Sequence, residues 1–274
     1  MSDHATSAPA PAAAPSLLAK HHFLLRRLHS LTGIAPIGLF MIVHLFTNAQ
    51  VLWGQSAGGE GTFQHEVDFI HSTPALFYVE FALWASIAFH AILGVGYMVG
   101  IVPNVRQYNY GDNWRYTMQR ITAWVALVFI FLHIATLRWR INVLGIWDTP
   151  FWHRLTPTGE PGHAQTDVPM SLPLTAYALQ YSWLIVIFYI VGVSMAIFHW
   201  CNGLWTAAIT WGATITKTAQ KRWGMACLGL GVALMIFMGA AIIGALKFDL
   251  KKDTTEAQRT ALTQIAPKWE EGRK

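Results

Sequence analysis

Residues 178–204 read ALQYSWLIVIFYIVGVSMAIFHWCNGL, an apolar run without Asp, Glu, Lys or Arg. A helix of about 20 apolar residues, rising about 1.5 Å per residue, crosses the roughly 30 Å hydrocarbon core of a bilayer. The run therefore predicts a transmembrane helix. It also carries one histidine, His199, close to its carboxyl end.

Four further stretches of the chain have the same character, at residues 31–51, 75–101, 117–137 and 223–246. The whole chain is 54% hydrophobic and only 12% charged, whereas soluble domains carry about a quarter charged residues. The sequence thus predicts an all-α membrane protein of five transmembrane helices.

The composition divides the chain into three parts, and its basic residues predict its orientation in the membrane. An Ala-, Pro- and Ser-rich stretch over 1–19 predicts a disordered tail without a signal peptide, 20–250 forms the membrane domain, and 251–274 is a charged tail. Basic residues precede the first span and lie in the second and fourth loops, whereas loop 52–74 has none. The positive-inside rule then puts the N-terminus in the cytoplasm. We expect a multi-pass protein of the bacterial inner membrane.

The distribution of charge and cysteine also excludes two classes of protein. The net charge of +5 comes from basic residues at the ends of apolar stretches rather than on one face, which indicates a membrane and no nucleic-acid partner. Two cysteines, Cys201 and Cys227, cannot build a disulfide framework or hold an iron–sulfur cluster.

Four histidines lie within the predicted spans, one on each of the first four: His44, His90, His133 and His199. Polar residues at this depth are costly and usually functional. The alternative, hydrogen bonding between helices, explains one such histidine better than it explains four.

Helix rise separates the four histidines into two levels. His44 and His133 lie about 20 and 24 Å from the inner surface, at about 1.5 Å per residue. His90 lies about 8 Å from that surface, and His199 is also close to it. Two histidines facing each other at one level can ligate a haem iron from both sides. We therefore expect the first four helices to form a bundle around two stacked b-type haems, an outer one held by His44 and His133 and an inner one held by His90 and His199.

Other polar residues near the spans are weaker candidates. Glu80 is the one acidic residue inside a predicted span, near the outer end of the second, and is a candidate for proton transfer to quinone or an interfacial carboxylate. A polar cluster at the inner side could bind haem propionates or a docked subunit, or merely hold helix ends at the headgroups. Its members, just before the first span and at the edge of the third, are Arg26, Arg27, His29, Ser30 and Arg120.

Several short segments occur in the order of a known family. They are RRLHSLTG at 26–33, FMIVHL at 40–45, FHAILGVGY at 89–97, QRIT at 119–122, FLH at 131–133, FHWCNGLW at 198–205 and TWG at 210–212. The chain resembles the membrane-anchor cytochrome b subunit of succinate dehydrogenase and fumarate reductase, in its single-chain, five-helix, two-haem type. The resemblance covers about residues 20–247.

The resemblance implies an iron–sulfur subunit and an FAD flavoprotein subunit as partners, which alone carry FAD and iron–sulfur clusters. It implies electron exchange between the iron–sulfur subunit and a quinone, usually menaquinone, and leaves a higher oligomer of the complex open. The alternatives are the cytochrome b subunit of a hydrogenase or formate dehydrogenase, and a haem-free, proton-coupled transporter.

Overall fold

The computed structural model of the chain describes residues 20–53, 62–99, 102–137 and 171–265. These residues form helices and connecting turns, with no strand within the described ranges. The tail predicted over 1–19 and most of the long loop between the third and fourth spans lie outside them.

Five helices are long and apolar enough to cross a membrane, as the sequence predicted. They are α1 (His22–Leu52), α3 (Leu76–Met98), α4 (Gly111–Leu137), α6 (Trp183–Thr210) and α7 (Lys217–Lys247). Many of their large apolar side chains point away from the protein, among them Leu39, Ile92, Val128, Leu184 and Ile236. Such a surface is stable against lipid tails but not against water.

Three shorter helices lie outside the spans: α2 (Thr62–Ser72), α5 (Ser171–Tyr181) and α8 (Glu256–Ile265). The sequence predicted none of them as separate elements. We call the end of the bundle where α1 begins the inner end. Since five spans alternate in direction, the three short helices lie at the opposite, outer end.

The spanning helices pack in a chain of neighbours. The helix α4 packs along α6, α6 along α7, and α7 along the second half of α1, while α3 contacts the first half of α1. A central cluster of buried side chains joins α1, α6 and α7: Leu45, Ile197, Cys201 and Leu234. Ser86 is the one buried residue of α3, all of which is described.

The helix α1 changes winding in its middle. It is α-helical over His22–Thr32, π-helical over Gly33–Ile37, α-helical again over Gly38–Ala49, and ends in a 3₁₀ turn over Gln50–Leu52. Pro36 lies within the π-helical turn and has no N–H to donate, which favours a local departure from α-helical bonding.

Several helix boundaries differ by five residues or more from those expected. The fourth span begins at Trp183 rather than at residue 178, because Ser182 is extended (φ −146°, ψ 132°) and its side chain caps α6 by accepting from Leu184 N. Residues 178–181 belong instead to α5. The first span begins at His22, so the polar cluster expected just before it lies on α1 itself.

The outer helices bury a small core of their own. The side chains of α5, of the segment after α7 and of α8 meet in one cluster: Ala176, Tyr177, Phe248, Leu250, Ala261 and Leu262. Gln180 Nε2 donates to the carbonyl oxygens of Ala245 at 2.9 Å and Phe248 at 2.8 Å, which ties α5 to the outer end of α7. The first part of the predicted charged tail is therefore folded and packed.

Candidate functional site

The inner histidine pair joins α3 and α6. The ring centroids of His90 and His199 lie 6.1 Å apart, with the rings at 86°. His90 Nδ1 lies 2.8 Å from the carbonyl oxygen of His29, and His199 Nδ1 lies 3.1 Å from that of Gln119. Because a carbonyl oxygen only accepts, both Nδ1 atoms carry hydrogen, and each Nε2 keeps its lone pair for a metal.

The outer histidine pair joins α1 and α4. The ring centroids of His44 and His133 lie 6.0 Å apart, with the rings at 73°. His133 Nδ1 is hydrogen-bonded to the hydroxyl of Tyr189 at 3.2 Å, and its ring stacks on Phe129. His44 stacks on Phe40, with centroids 5.2 Å apart. The structure thus brings together the same two pairs that helix rise predicted.

The spacing of both pairs suits a metal held between two imidazoles. A metal ion lies about 2 Å from a bound imidazole nitrogen, itself about 1 Å from the ring centroid, so imidazoles on opposite sides of one iron have centroids about 6 Å apart. Tyr189, which contacts the outer pair, precedes His199 by ten residues on α6. The two pairs are therefore separated by about 15 Å along that helix.

The predicted polar cluster surrounds the inner pair. His29 stacks on His90 with centroids 4.0 Å apart, and Ser30 Oγ accepts from Trp211 Nε1 at 2.9 Å. Arg26 lies over the ring of Tyr97, and Arg120 lies over the ring of Tyr116. Arg120 lies well within α4 rather than at its edge.

Several buried polar atoms of this region have no hydrogen-bond partner among the described residues. They are Arg27 Nε, His29 Nδ1, the Tyr97 hydroxyl, Arg120 Nε and Trp200 Nε1. Most are hydrogen-bond donors and two belong to cations, and buried donors in proteins are almost always paired. Their chemistry fits a ligand that carries carboxylates, as haem does.

A polar network missed by the sequence reasoning holds His199 from α4. Gln119 Nε2 donates to the His199 carbonyl oxygen at 3.0 Å, and Asn202 Nδ2 donates to Gln119 Oε1 at 2.7 Å. Arg115 Nε donates to Asn202 Oδ1 at 3.0 Å while its guanidinium lies over Trp205. Gln119 and Asn202 stand in the short segments quoted above, which gave their residue types but not their partners.

Glycines lie where the helices approach the rings. A Cβ on Gly33 would be 2.6 Å from Cε1 and 2.8 Å from Nδ1 of His90, and a Cβ on Gly94 would be 3.2 Å from Cε1 of His29. Other glycines face aromatic rings, Gly38 against Trp200 and Gly192 against Phe129. A larger residue at Gly33 would push directly against the imidazole of His90.

Glu80 lies on α3 ten residues before His90, half-buried between lipid-facing neighbours. Ten residues span about 15 Å of helix, the same separation as between the two histidine pairs. Glu80 is therefore about level with the outer pair.

Similarity to a curated relative establishes the family of this chain. No family model matches the chain. The chain is 32% identical over 223 residues to the succinate dehydrogenase cytochrome b558 subunit of Bacillus subtilis, and the match covers 81% of this chain and 93% of the relative. This chain belongs to the family of succinate dehydrogenase cytochrome b subunits. Of the functions considered from the sequence, family membership favours this cytochrome b over a hydrogenase or formate dehydrogenase subunit and over a haem-free transporter.

Proposed function

We propose that this cytochrome b subunit binds two b-type haems and connects the iron–sulfur subunit of a succinate:quinone oxidoreductase with menaquinone in the membrane. The chain is a multi-pass membrane protein and part of an enzyme complex. The observation that carries the proposal is the pairing of four histidines from four helices, with ring centroids 6.0 and 6.1 Å apart at two levels.

The histidines would hold iron through Nε2. In the inner pair, the carbonyl oxygens of His29 and Gln119 fix the tautomer and the ring orientation of His90 and His199. In the outer pair, Tyr189 fixes the ring of His133. Haem, when bound, would supply reversible one-electron exchange, with a potential set by the histidines that hold it and by their surroundings.

The polar cluster binds the propionates of the inner haem. The side chains that support this role are those with unpartnered buried donors, Arg27, His29 and Arg120, together with the neighbouring Arg26 and Ser30. A carboxylate beside these groups would satisfy the donors and offset their positive charge.

The soluble partners dock at the inner end of the bundle. The iron–sulfur subunit must approach the inner pair closely, since electrons are exchanged over short gaps, and the FAD flavoprotein subunit binds to it. The chain itself carries no succinate site in this proposal. With the N-terminus in the cytoplasm of a bacterium, this end faces the cytoplasm. Labelling that finds the N-terminus on the face away from the soluble subunits would contradict this arrangement.

Quinone reacts near the outer pair, where Glu80 exchanges protons with it. Glu80 is the only acidic residue of α3, and its carboxyl group is about level with His44 and His133.

Paired substitutions test the haem sites. We expect His90→Ala and His199→Ala to remove one spectral component of the purified complex, and His44→Ala and His133→Ala to remove the other, in reduced-minus-oxidised absorbance spectra. Haem content should fall from two per chain to one. Loss of the same component from His44→Ala and His90→Ala would show that the pairing is wrong.

A further inference from the structure

An open pocket of about 440 Å³ lies at the inner end, where α6 turns into α7. Gly212 makes the turn with a positive φ of 76°. The pocket is lined by Thr214, Thr216, Thr218, Ala219, Arg222 and Trp223. None of these residues belongs to the histidine pairs or to the polar cluster around them.

The pocket contains the amino end of a long helix. The Thr216 side chain caps α7 by accepting from Ala219 N at 3.1 Å, and the first backbone bond of the helix runs from Gln220 N to Thr216 O at 2.9 Å. The amides of Lys217 and Thr218 come before that bond and have no acceptor within the helix. The positive end of the helix dipole therefore faces the pocket.

Thr214 supplies a second, independent sign of a ligand. The residue is only 9% exposed and lines the pocket, yet its buried hydroxyl has no hydrogen-bond partner in the described part of the chain. Its backbone is fully engaged, since its N–H donates to Ala208 O at 3.1 Å and its carbonyl oxygen accepts from Gln220 Nε2 at 3.2 Å. A buried hydroxyl left unpaired costs free energy, which a bound acceptor would recover.

The charges at the amino end of α7 also favour the binding of an anion. The first two turns of α7 carry Lys217, Lys221 and Arg222, and the first turn has no acidic residue. Cations are normally disfavoured at the positive end of a helix. An anion bound in the pocket would offset both the dipole and the three side-chain charges.

The surroundings identify the source of the anion. Ile215 is 83% exposed and Trp211 44% exposed beside the pocket, at the level where the spans end. Tryptophan and basic side chains at that level belong in the headgroup region of a bilayer. We infer that this pocket binds the phosphate of an anionic phospholipid through Thr214, the first amides of α7 and Arg222, with the acyl chains along Ile215.

The complete purified complex tests the inference by native mass spectrometry from detergent micelles containing phosphatidylglycerol. Thr214→Val and Arg222→Gln should each lower the retained phosphatidylglycerol about tenfold, the effect of losing one hydrogen bond to a charged group. Matched controls are Thr210→Val, whose hydroxyl donates within α6 to Thr206 O, and Lys251→Gln, an exposed cation at the outer end. Both controls should retain the lipid, and phosphatidylcholine should be retained less in every protein.

Three results would overturn the inference. The first is equal retention of phosphatidylglycerol by the native complex and both pocket variants. The second is binding of inorganic phosphate that depends on Thr214 without any lipid retention, which would identify a site for free phosphate. The third is release of the soluble subunits by Arg222→Gln with unchanged lipid, which would identify a protein contact. The absorbance spectrum of the haems reports that each variant is folded, and Arg222, being exposed, can be changed without disturbing the core.

Discussion

At the scale of single residues, one turn of α1 fixes the imidazole of His90. The ring of His29 stacks on it, the carbonyl oxygen of the same residue accepts from Nδ1, and Gly33, one turn further, leaves room beside Cε1. The orientation of His90 and the space beside its ring therefore depend on α1, although His90 itself lies on α3.

Gly33→Ala should remove this space. The new Cβ would stand 2.6 Å from His90 Cε1 and force the imidazole to move. We expect loss of the inner spectral component and about half of the haem, measured by absorbance and haem extraction. Gly96→Ala is the control, because nothing lies within 4 Å of its added Cβ. Two bound haems in Gly33→Ala would mean that His90 does not hold the position assigned to it.

Tyr189→Phe and Asn202→Ala should separate the two sites. Tyr189 contacts His133 of the outer pair, and Asn202 supports Gln119 beside His199 of the inner pair. Partners that orient metal ligands typically contribute about 10- to 100-fold to affinity or activity. We expect Tyr189→Phe to shift the midpoint potential of the outer component alone and Asn202→Ala that of the inner component alone, in a spectroelectrochemical titration. Each variant is the control for the other, and a shift of both components by either one would contradict the assignment.

The pairs could be predicted from the sequence because a histidine inside an apolar helix is rare and its depth follows from counting residues. Tyr189 and Gln119 could not, because their roles depend on which way each side chain points across a helix interface. The sequence offers several tyrosines and glutamines near span ends, and nothing in their spacing distinguishes these two.

At the scale of elements, hydropathy located the five spans but not all of their ends. The apolar run over 178–204 continues across Ser182, so the break between α5 and α6 depends on one extended residue and its cap. The helix α8 was missed because residues 251–274 were treated as one charged tail, although only Glu256 and Arg259 of this helix are charged. A signal was present, however: Thr255 and Gln258 form a reciprocal cap, Thr255 N donating to Gln258 Oε1 at 2.9 Å and Gln258 N to Thr255 Oγ1 at 3.2 Å.

Leu262→Ala should loosen the outer layer. Leu262 is fully buried against Tyr177, Phe248 and Leu250, and truncating a buried leucine costs about 2–5 kcal/mol in soluble cores. We expect faster proteolysis of the C-terminal segment and a lower melting temperature of the complex, with unchanged haem spectra. Thr260→Ala, an exposed site on the same helix, should behave as the native protein. Equal protease resistance of Leu262→Ala and the native complex would show that α8 contributes no stability there.

At the scale of the whole molecule, the proposed reactions occupy opposite ends of the bundle. The polar cluster and the inner pair lie near the end where α1 begins, while Glu80 is level with the outer pair about 15 Å away along the helices. Electron entry and quinone chemistry should therefore respond to different substitutions.

Glu80→Gln should uncouple quinone turnover from the rest of the complex. Quinone reduction needs two protons with two electrons, and the amide keeps the size of the carboxyl group without its exchangeable proton. We expect most of the succinate-to-menaquinone activity to be lost, while both haems remain and succinate oxidation by a soluble artificial acceptor is unchanged. The acceptor is the control, since it takes electrons before they reach the membrane. Native quinone turnover in this variant would assign Glu80 to the membrane interface.

The packing of α8 has a consequence for how the protein is made. Ala261 and Leu262 can be buried only against α5 and the segment after α7, and they emerge from the ribosome after all five spans. Five crossings also separate this helix from the start of α1, so it must be carried across the bilayer behind the last span. The outer layer is thus the final part to close during biogenesis. Until then, α5 and the outer end of α7 expose apolar surface on the far side of the membrane. Chaperones and proteases of that compartment can bind or cleave the newly inserted chain during this interval.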